Sequence, residues 1–266
     1  MRPGRPPAVR WPIGERTSYR PGTFCWVELA TPDPPGALAF YRGLLGWEGD
    51  AMPAGPQPGY TMVRSAGRYV AALHHDGRGT APAWLSFVSV ADVDEAAERA
   101  AGLGGLVVQG PADVLDAGRL AVVADPTGAQ VALWQPGRHI GATLVNEPGA
   151  LCMNQLDTSD PDAALGFYGE LFGWTARSVG SAEEPYWSLF NAGSLNGGLR
   201  PVPPDAGPAR WLAYFAVADL DAVVAGIGAA GGAVVAGPRA VPAGRFVVAT
   251  DPQGAAFAVF EGPVDP

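Results

Sequence analysis

The sequence predicts an α+β chain in which one domain occurs twice in tandem, and three observations carry that prediction. Short motifs recur at an offset of 127 residues: Phe40-Tyr41 as Phe167-Tyr168, Gly46-Trp47 as Gly173-Trp174, Trp84-Leu85 as Trp211-Leu212, Ala91-Asp92 as Ala218-Asp219, and Gly110-Pro111 as Gly237-Pro238. After a one-residue slip, Gly118-Arg119 recurs as Gly244-Arg245, and Asp125-Pro126 with Gly128 recurs as Asp251-Pro252 with Gly254. Within each half, strand-like alternation gives way to one helix-length apolar stripe and then to short strands, and this plan runs twice. Finally, 266 residues at 48% hydrophobic and 16% charged suffice for two cores, at roughly 100–200 residues per domain.

Taken in order, residues 1–22 read as a flexible tail, rich in Pro and Arg, with no apolar stretch of the kind a secretory signal needs. Residues 23–135 form the first domain, 136–149 a linker with Pro and Gly at its ends, and 150–262 the second domain. Residues 24–30 alternate as a strand. Thr31-Pro32-Asp33-Pro34-Pro35 ends that strand and starts a helix with Asp33 as N-cap. Leu38, Tyr41, Leu44 and Leu45 share one helical face, and Gly46 supplies the stop. Short strands are expected near Trp47, at 60–64 and at 69–73. The plan restarts with a strand at 84–90, a helix capped by Asp92 and ended by Gly102, Gly104 and Gly105, and strands at 106–109, 120–124 and 130–134. Asp125-Pro126-Thr127-Gly128 is the turn before the last of these. The chain therefore holds four β-α-β-β-β units.

Composition excludes several chemistries. All 17 basic residues are Arg, so no Lys can form a Schiff base or complete a P-loop. A net charge of −9 argues against a nucleic-acid partner. No run reaches the ~18 apolar residues of a spanning helix, so no membrane partner is expected and a cytoplasmic location is. Cys25 and Cys152 are too few for a disulfide framework. They fall at equivalent repeat positions and read as inert thiols buried against helices.

The strand, the helix ending in Phe-Tyr, the Leu-Gly-Trp that follows, and the closing Asp-Pro-x-Gly strand resemble the vicinal oxygen chelate superfamily of glyoxalases, extradiol dioxygenases and bleomycin-binding proteins. Leu133-Trp134-Gln135 with 138–147 resembles the linker of a two-domain actinobacterial subgroup. That subgroup includes a mycobacterial glyoxalase-like antigen and proteins of aromatic polyketide antibiotic clusters. The resemblance covers nearly all of 23–261 and implies that each half is a curved sheet around a cup, with helices outside. Enzymes of the superfamily hold a divalent metal with His, Glu or Gln from three strand positions per cup. By resemblance these fall on Trp26, Leu85 and Ala132 in the first half, and on Met153, Leu212 and Ala258 in the second. None is a competent ligand for a hard or borderline divalent ion, so no metal and no other cofactor is expected. Without a Lewis acid, ordinary glyoxalase chemistry loses its means of polarising substrate.

Strand alternation assigns the faces. Phe24, Trp26 and Glu28 are expected in the first cup with Leu85, Phe87, Gln130, Ala132 and Trp134. Leu151, Met153 and Gln155 are expected in the second with Leu212, Tyr214, Ala256, Ala258 and Phe260. Tyr60 and Tyr186-Trp187 suit the cup mouths, but no pattern places them. His74 and His75, adjacent on a strand, point to opposite faces, and His139 in the linker is expected to dock the two halves. The function expected is binding of a small aromatic or polyketide-like molecule by Trp26, Phe87 and Trp134 in one cup, and by Met153, Gln155 and Tyr214 in the other. Such binding would serve antibiotic biosynthesis, resistance or detoxification. The rival is an enzyme, a glyoxalase-like lyase or isomerase or a cofactor-independent oxygenase or cyclase, with Glu28 as general base. Glu28 could instead pair with an Arg such as Arg64. A homodimer is compatible with either reading.

Overall fold

The structure is a computed structural model that describes residues 14–52, 55, 56, 59–77 and 79–262. In chain order the elements are β1 (Gly14–Glu15), β2 (Phe24–Thr31), α1 (Pro34–Leu45), β3 (Glu48–Ala51), β4 (Thr61–Ser65), β5 (Arg68–His75), β6 (Ala83–Ser89), α2 (Val93–Gly102), β7 (Leu106–Val114), β8 (Gly118–Ala124) and β9 (Gln130–Pro136). They continue with β10 (Leu144–Val145), β11 (Leu151–Thr158), α3 (Pro161–Phe172), β12 (Thr175–Ser178), β13 (Trp187–Asn191), β14 (Ser194–Pro201), β15 (Arg210–Ala216), α4 (Leu220–Ala229), β16 (Ala233–Val241), β17 (Gly244–Thr250) and β18 (Ala256–Glu261). Each half forms one curved eight-stranded sheet, in the orders β3-β4-β5-β2-β6-β9-β8-β7 and β12-β13-β14-β11-β15-β18-β17-β16.

Each helix starts at an Asp whose carboxylate accepts a backbone N–H three residues on: Asp33 from Gly36, Asp92 from Glu95, Asp160 from Ala163 and Asp219 from Ala222. Gly46 and Gly173 close α1 and α3 in the left-handed conformation.

The helix-bearing faces of the two sheets meet, and α1 contacts α4 while α2 contacts α3. One core mixes Val27, Phe40, Tyr41, Trp47 and Trp84 of the first half with Phe215, Ile227 and Phe257 of the second. A second core mixes Val88, Val93 and Val123 with Phe167, Tyr168, Trp174 and Trp211. The recurring motifs build this interface. Trp84 donates to the Tyr41 hydroxyl at 3.0 Å, as Trp211 does to Tyr168 at 2.8 Å. Tyr41 reaches across to Asp251 of the other half's Asp-Pro-x-Gly turn, and Tyr168 lies beside Asp125. The indole of Trp47 donates to Gly149, just before the second half's first strand, and that of Trp174 to Gly22, just before the first half's. Both glycines have positive φ, where a side chain would be strained.

Two expectations change. Residues 14–22, assigned to the tail, are tied down: β1 pairs with β10 in the linker, the Tyr19 hydroxyl donates to Ala142, and Asn191 donates to Pro21. The remainder of the tail, 1–13, lies outside the described residues. In addition, β2 and β11 each carry a bulge, at Cys25 and Cys152, which inverts the facing of the residue before it. Phe24 therefore leaves the cup and packs edge-on against Trp211 and beside Trp174, and Leu151 joins the inter-half core. The two cysteines lie on the cup sides rather than against helices.

Candidate functional site

The outward faces of the sheets are the two cups. In the first, strand pairing sets Trp26, Phe87 and Ala132 side by side in one row, and Ala72, Glu28 and Leu85 in the next. Trp26 is 1% exposed, and Phe87 and Trp134 are buried with it, their ring centres 6.3 Å apart. These aromatic rings form a floor. Met62, Leu85 and Leu120 pack against it and stay partly exposed.

Glu28 is the polar centre of this cup. Its Oε1 accepts the Tyr60 hydroxyl at 2.5 Å and the Trp26 indole N–H at 3.1 Å, and its Oε2 lies 3.9 Å from His74 Nε2. The Tyr60 and His74 rings lie nearly parallel, 6.3 Å apart. Burial raises the proton affinity of Glu28, opposed by the hydrogen bond from Tyr60, the nearby His74 and the Trp26 indole. Burial likewise pushes the Tyr60 phenol up. Glu28 and His74 keep 13% and 12% of their side-chain surface exposed. Arg64, the alternative partner for Glu28, instead pairs with Asp50.

The second cup uses the same positions differently. Met153, Tyr214 and Ala258 form the row equivalent to Trp26, Phe87 and Ala132. Gln155 replaces Glu28; it accepts from the Tyr214 hydroxyl at 3.1 Å and donates to Asp157 at 2.8 Å. Asp157, where the first half has Ala30, is clamped by Arg200 through Nε at 3.0 Å and Nη2 at 2.7 Å. That clamp raises the pKa of Arg200. Tyr186, the counterpart of Tyr60, turns its hydroxyl to Met153 Sδ at 3.8 Å. Gly198 makes this possible, because a Cβ there would lie 1.8 Å from the Tyr186 hydroxyl; the first half has Ala72 at that place.

The donor set does not suit a divalent metal. Trp26, Leu85 and Ala132 in one cup, and Met153, Leu212 and Ala258 in the other, offer one thioether among six side chains. Among the described residues no three His, Cys, Asp or Glu side chains gather as a metal site. Glu28 and His74 are two donors without a third.

Sequence reasoning placed Trp26, Glu28, Phe87 and Trp134 on one cup, and Met153, Gln155 and Tyr214 on the other, and the structure puts each on that face. It did not find the partners of Glu28, since Tyr60 arrives from just before β4 and His74 from β5. It also missed Asp157 and Arg200, although Asp157 sits two residues beyond Gln155 and so shares its face. His139 does not bridge the halves; it packs edge-on against Trp26 at 4.7 Å and beside Trp134 at 5.9 Å. Both thiols are pushed far up by burial, as inert cysteines require.

Comparison with known proteins agrees with this architecture. Residues 23–133 match the family model described as Glyoxalase/Bleomycin resistance protein/Dioxygenase superfamily, and 153–260 match the Glyoxalase-like domain model. The chain is 43% identical over 254 residues to "Putative glyoxylase CFP32" of Mycobacterium tuberculosis, covering 93% of this chain and 97% of that protein. It is 33% identical over 269 residues to "Anthracycline biosynthesis protein DauV" of Streptomyces sp. (strain C5), covering 92% and 95%. Among solved structures, the Mn(II)-bound glyoxalase from Novosphingobium aromaticivorans superposes with a TM-score of 0.65 at 14% identity, covering 91% of this chain and 82% of that one, which shows a shared fold. The chain belongs to the Glyoxalase/Bleomycin resistance protein/Dioxygenase superfamily. Within it, the chain has relatives in anthracycline biosynthesis. No described helix is long and apolar enough to cross a membrane.

Proposed function

We propose that this protein binds a small, flat, hydroxylated aromatic molecule of polyketide type in its first cup, without a divalent metal. The observation that carries this reading is Glu28, a partly exposed carboxylate held by Tyr60 and Trp26 above an aromatic floor where the superfamily's metal ligands are replaced by Trp26, Leu85 and Ala132. Flat apolar surface supplies affinity, and a few fixed polar groups supply orientation. The relationship to DauV supports an anthracycline-like ligand class. The test is a titration with 1,8-dihydroxyanthraquinone, read by tryptophan fluorescence, together with native mass spectrometry of protein purified without chelator. Saturable quenching with no bound metal is expected. A stoichiometric divalent metal, or no quenching at soluble probe concentrations, overturns the reading.

A second reading, catalysis with Glu28 as general base on an acidic phenol or enol, is favoured by the raised proton affinity of that carboxylate and by the neighbouring His74. Glu28→Gln separates the two. A binder keeps its affinity within about tenfold, the worth of one charge-assisted hydrogen bond, whereas a base catalyst loses turnover.

A further inference from the structure

The two halves differ behind their sheets as well as in their cups. In the first half, Arg42 of α1 donates through Nε to the Trp47 carbonyl at 3.4 Å. Leu38 of the same helix settles over Gly49, where a Cβ would overlap it. The repeat replaces Arg42 by Gly169 and Gly49 by Ala176, while Leu38 and Trp47 recur as Leu165 and Trp174. One space-filling side chain is therefore lost, and the added methyl at Ala176 denies Leu165 the place that Leu38 takes.

A cavity of about 170 Å³ lies there, between α3 and β12–β14. Leu165, Trp174, Leu189 and Leu199 line it, the last three buried, and its lining reaches the surface at the exposed Thr175 and Ala176. It is on the opposite side of the second sheet from the cup: Gly198 faces Tyr186 in the cup, and its neighbour Leu199 points the other way. A cavity of ~150 Å³ with apolar walls is enough to hold one benzene ring. One wall here is polar. The Trp174 carbonyl lies 3.5 Å from where a Cβ of Gly169 would stand, and glycine brings it no counterpart of the Arg42 donor.

We propose that this cavity is a ligand site in its own right, separate from both cups, and that it takes a single aromatic ring bearing a hydroxyl, a molecule of the phenol class. The ring fills the space between the leucines and Trp174, and the hydroxyl donates to the Trp174 carbonyl as Arg42 donates to Trp47 in the other half. Apolar walls with one fixed polar group suit such a molecule. The inference does not depend on what the first cup binds.

The experiment is methyl NMR of the full chain titrated with phenol and, separately, with toluene. Phenol should shift the Leu165, Leu189 and Leu199 methyls saturably, with roughly millimolar affinity, as expected for so small a ligand. Toluene should bind about fivefold more weakly at the same methyls, the worth of one neutral hydrogen bond. Gly169→Arg restores the first half's residue. It should weaken phenol binding there about tenfold or more by filling the cavity. It should melt no lower than wild type, because Arg is the better helix former and a Cβ at that place meets the Trp174 carbonyl only at ordinary contact distance. Gly169→Ala, which gains helix propensity without filling the cavity, should keep phenol affinity within about twofold. No saturable shift at the three leucines overturns the proposal, as does phenol affinity unchanged in Gly169→Arg or equally weakened in Gly169→Ala. Toluene bound as tightly as phenol overturns the ligand class. Shifts confined to Met62, Leu85 and Leu120 place phenol in the first cup and overturn this site alone, so the two readings are distinguished in one titration.

Discussion

The two cups descend from one repeated plan and solve the same electrostatic problem in opposite ways. In the second, Asp157 is buried at 5% side-chain exposure and clamped by the permanent charge of Arg200, with Gln155 and Tyr214 completing a chain of fixed donors and acceptors. In the first, Glu28 has only neutral donors, Tyr60 and Trp26, and a histidine at 3.9 Å. One network carries a permanent guanidinium charge, and in the other burial raises the proton affinity of the carboxylate. A cup whose carboxylate can gain or lose a proton can respond to a ligand hydroxyl, and a cup neutralised by a guanidinium cannot do so without breaking a bidentate pair.

The largest effect expected from testing this contrast comes from Arg200→Ala. It leaves Asp157 buried without its cation and lowers stability by about 2–3 kcal/mol, the low end for a broken buried pair because Arg200 is 41% exposed. Urea denaturation measures it, and His74→Ala in the first cup should cost under ~1 kcal/mol by the same assay. Equal costs would break the comparison.

A somewhat smaller effect is expected from Gln155→Glu, which imports the first cup's residue into the second. The new carboxylate faces Asp157, replacing a 2.8 Å donor contact by like-charge repulsion, at a cost of roughly 2 kcal/mol near pH 8. Repulsion raises the folded-state pKa of the new Glu, so the loss should shrink as pH falls and the group protonates. A variant as stable as wild type at pH 8 would show that the cups are interchangeable.

The smallest effect sharpens the first cup. Burial raises the folded pKa of Glu28 above its ordinary 4.5, so its contribution to stability is full below that pH and is lost as pH rises through the folded value. Glu28→Gln has no such loss. The melting temperatures of the two proteins should converge near pH 4, with the variant the more stable at pH 8. A constant difference across that range would contradict a titrating Glu28.

Much of the fold was legible because its signals are local. Asp33 and Asp92 as caps, Gly46 as a stop and the strand that restarts the plan at 84–90 are written within a few residues of sequence, and each stands close to where it was read. The repeat then carries the same reading to the second half. Face assignment failed at Cys25 and Cys152 and just upstream of them, where one unpaired residue in each first strand inverts the parity. Glu28 was legible as a carboxylate on an otherwise apolar cup face. Tyr60 and His74 were not, since β5 pairs with β2, and β4 with β5, through registers that alternation does not encode. The place of residues 14–22 rests on β1 pairing with β10, some 130 residues away in sequence, which no nearby periodicity announces.

By itself, then, the sequence determined the duplication and the four β-α-β-β-β units, because each depends on residue identity at a fixed spacing along the chain. Only the tertiary structure decided what the recurring and the diverging residues are for. Phe-Tyr, Gly-Trp and Asp-Pro-x-Gly recur because they build the interface between the halves, where Tyr41 meets Asp251 and Trp47 meets Gly149. Trp26 and Met153, Glu28 and Gln155, and His74 and Arg200 diverge on the cups, where pseudo-symmetry imposes no matching partner. The physical reason is that burial and hydrogen bonding across the chain are non-local: they follow from which strands pair and which faces meet, and both are settled only when the two sheets pack.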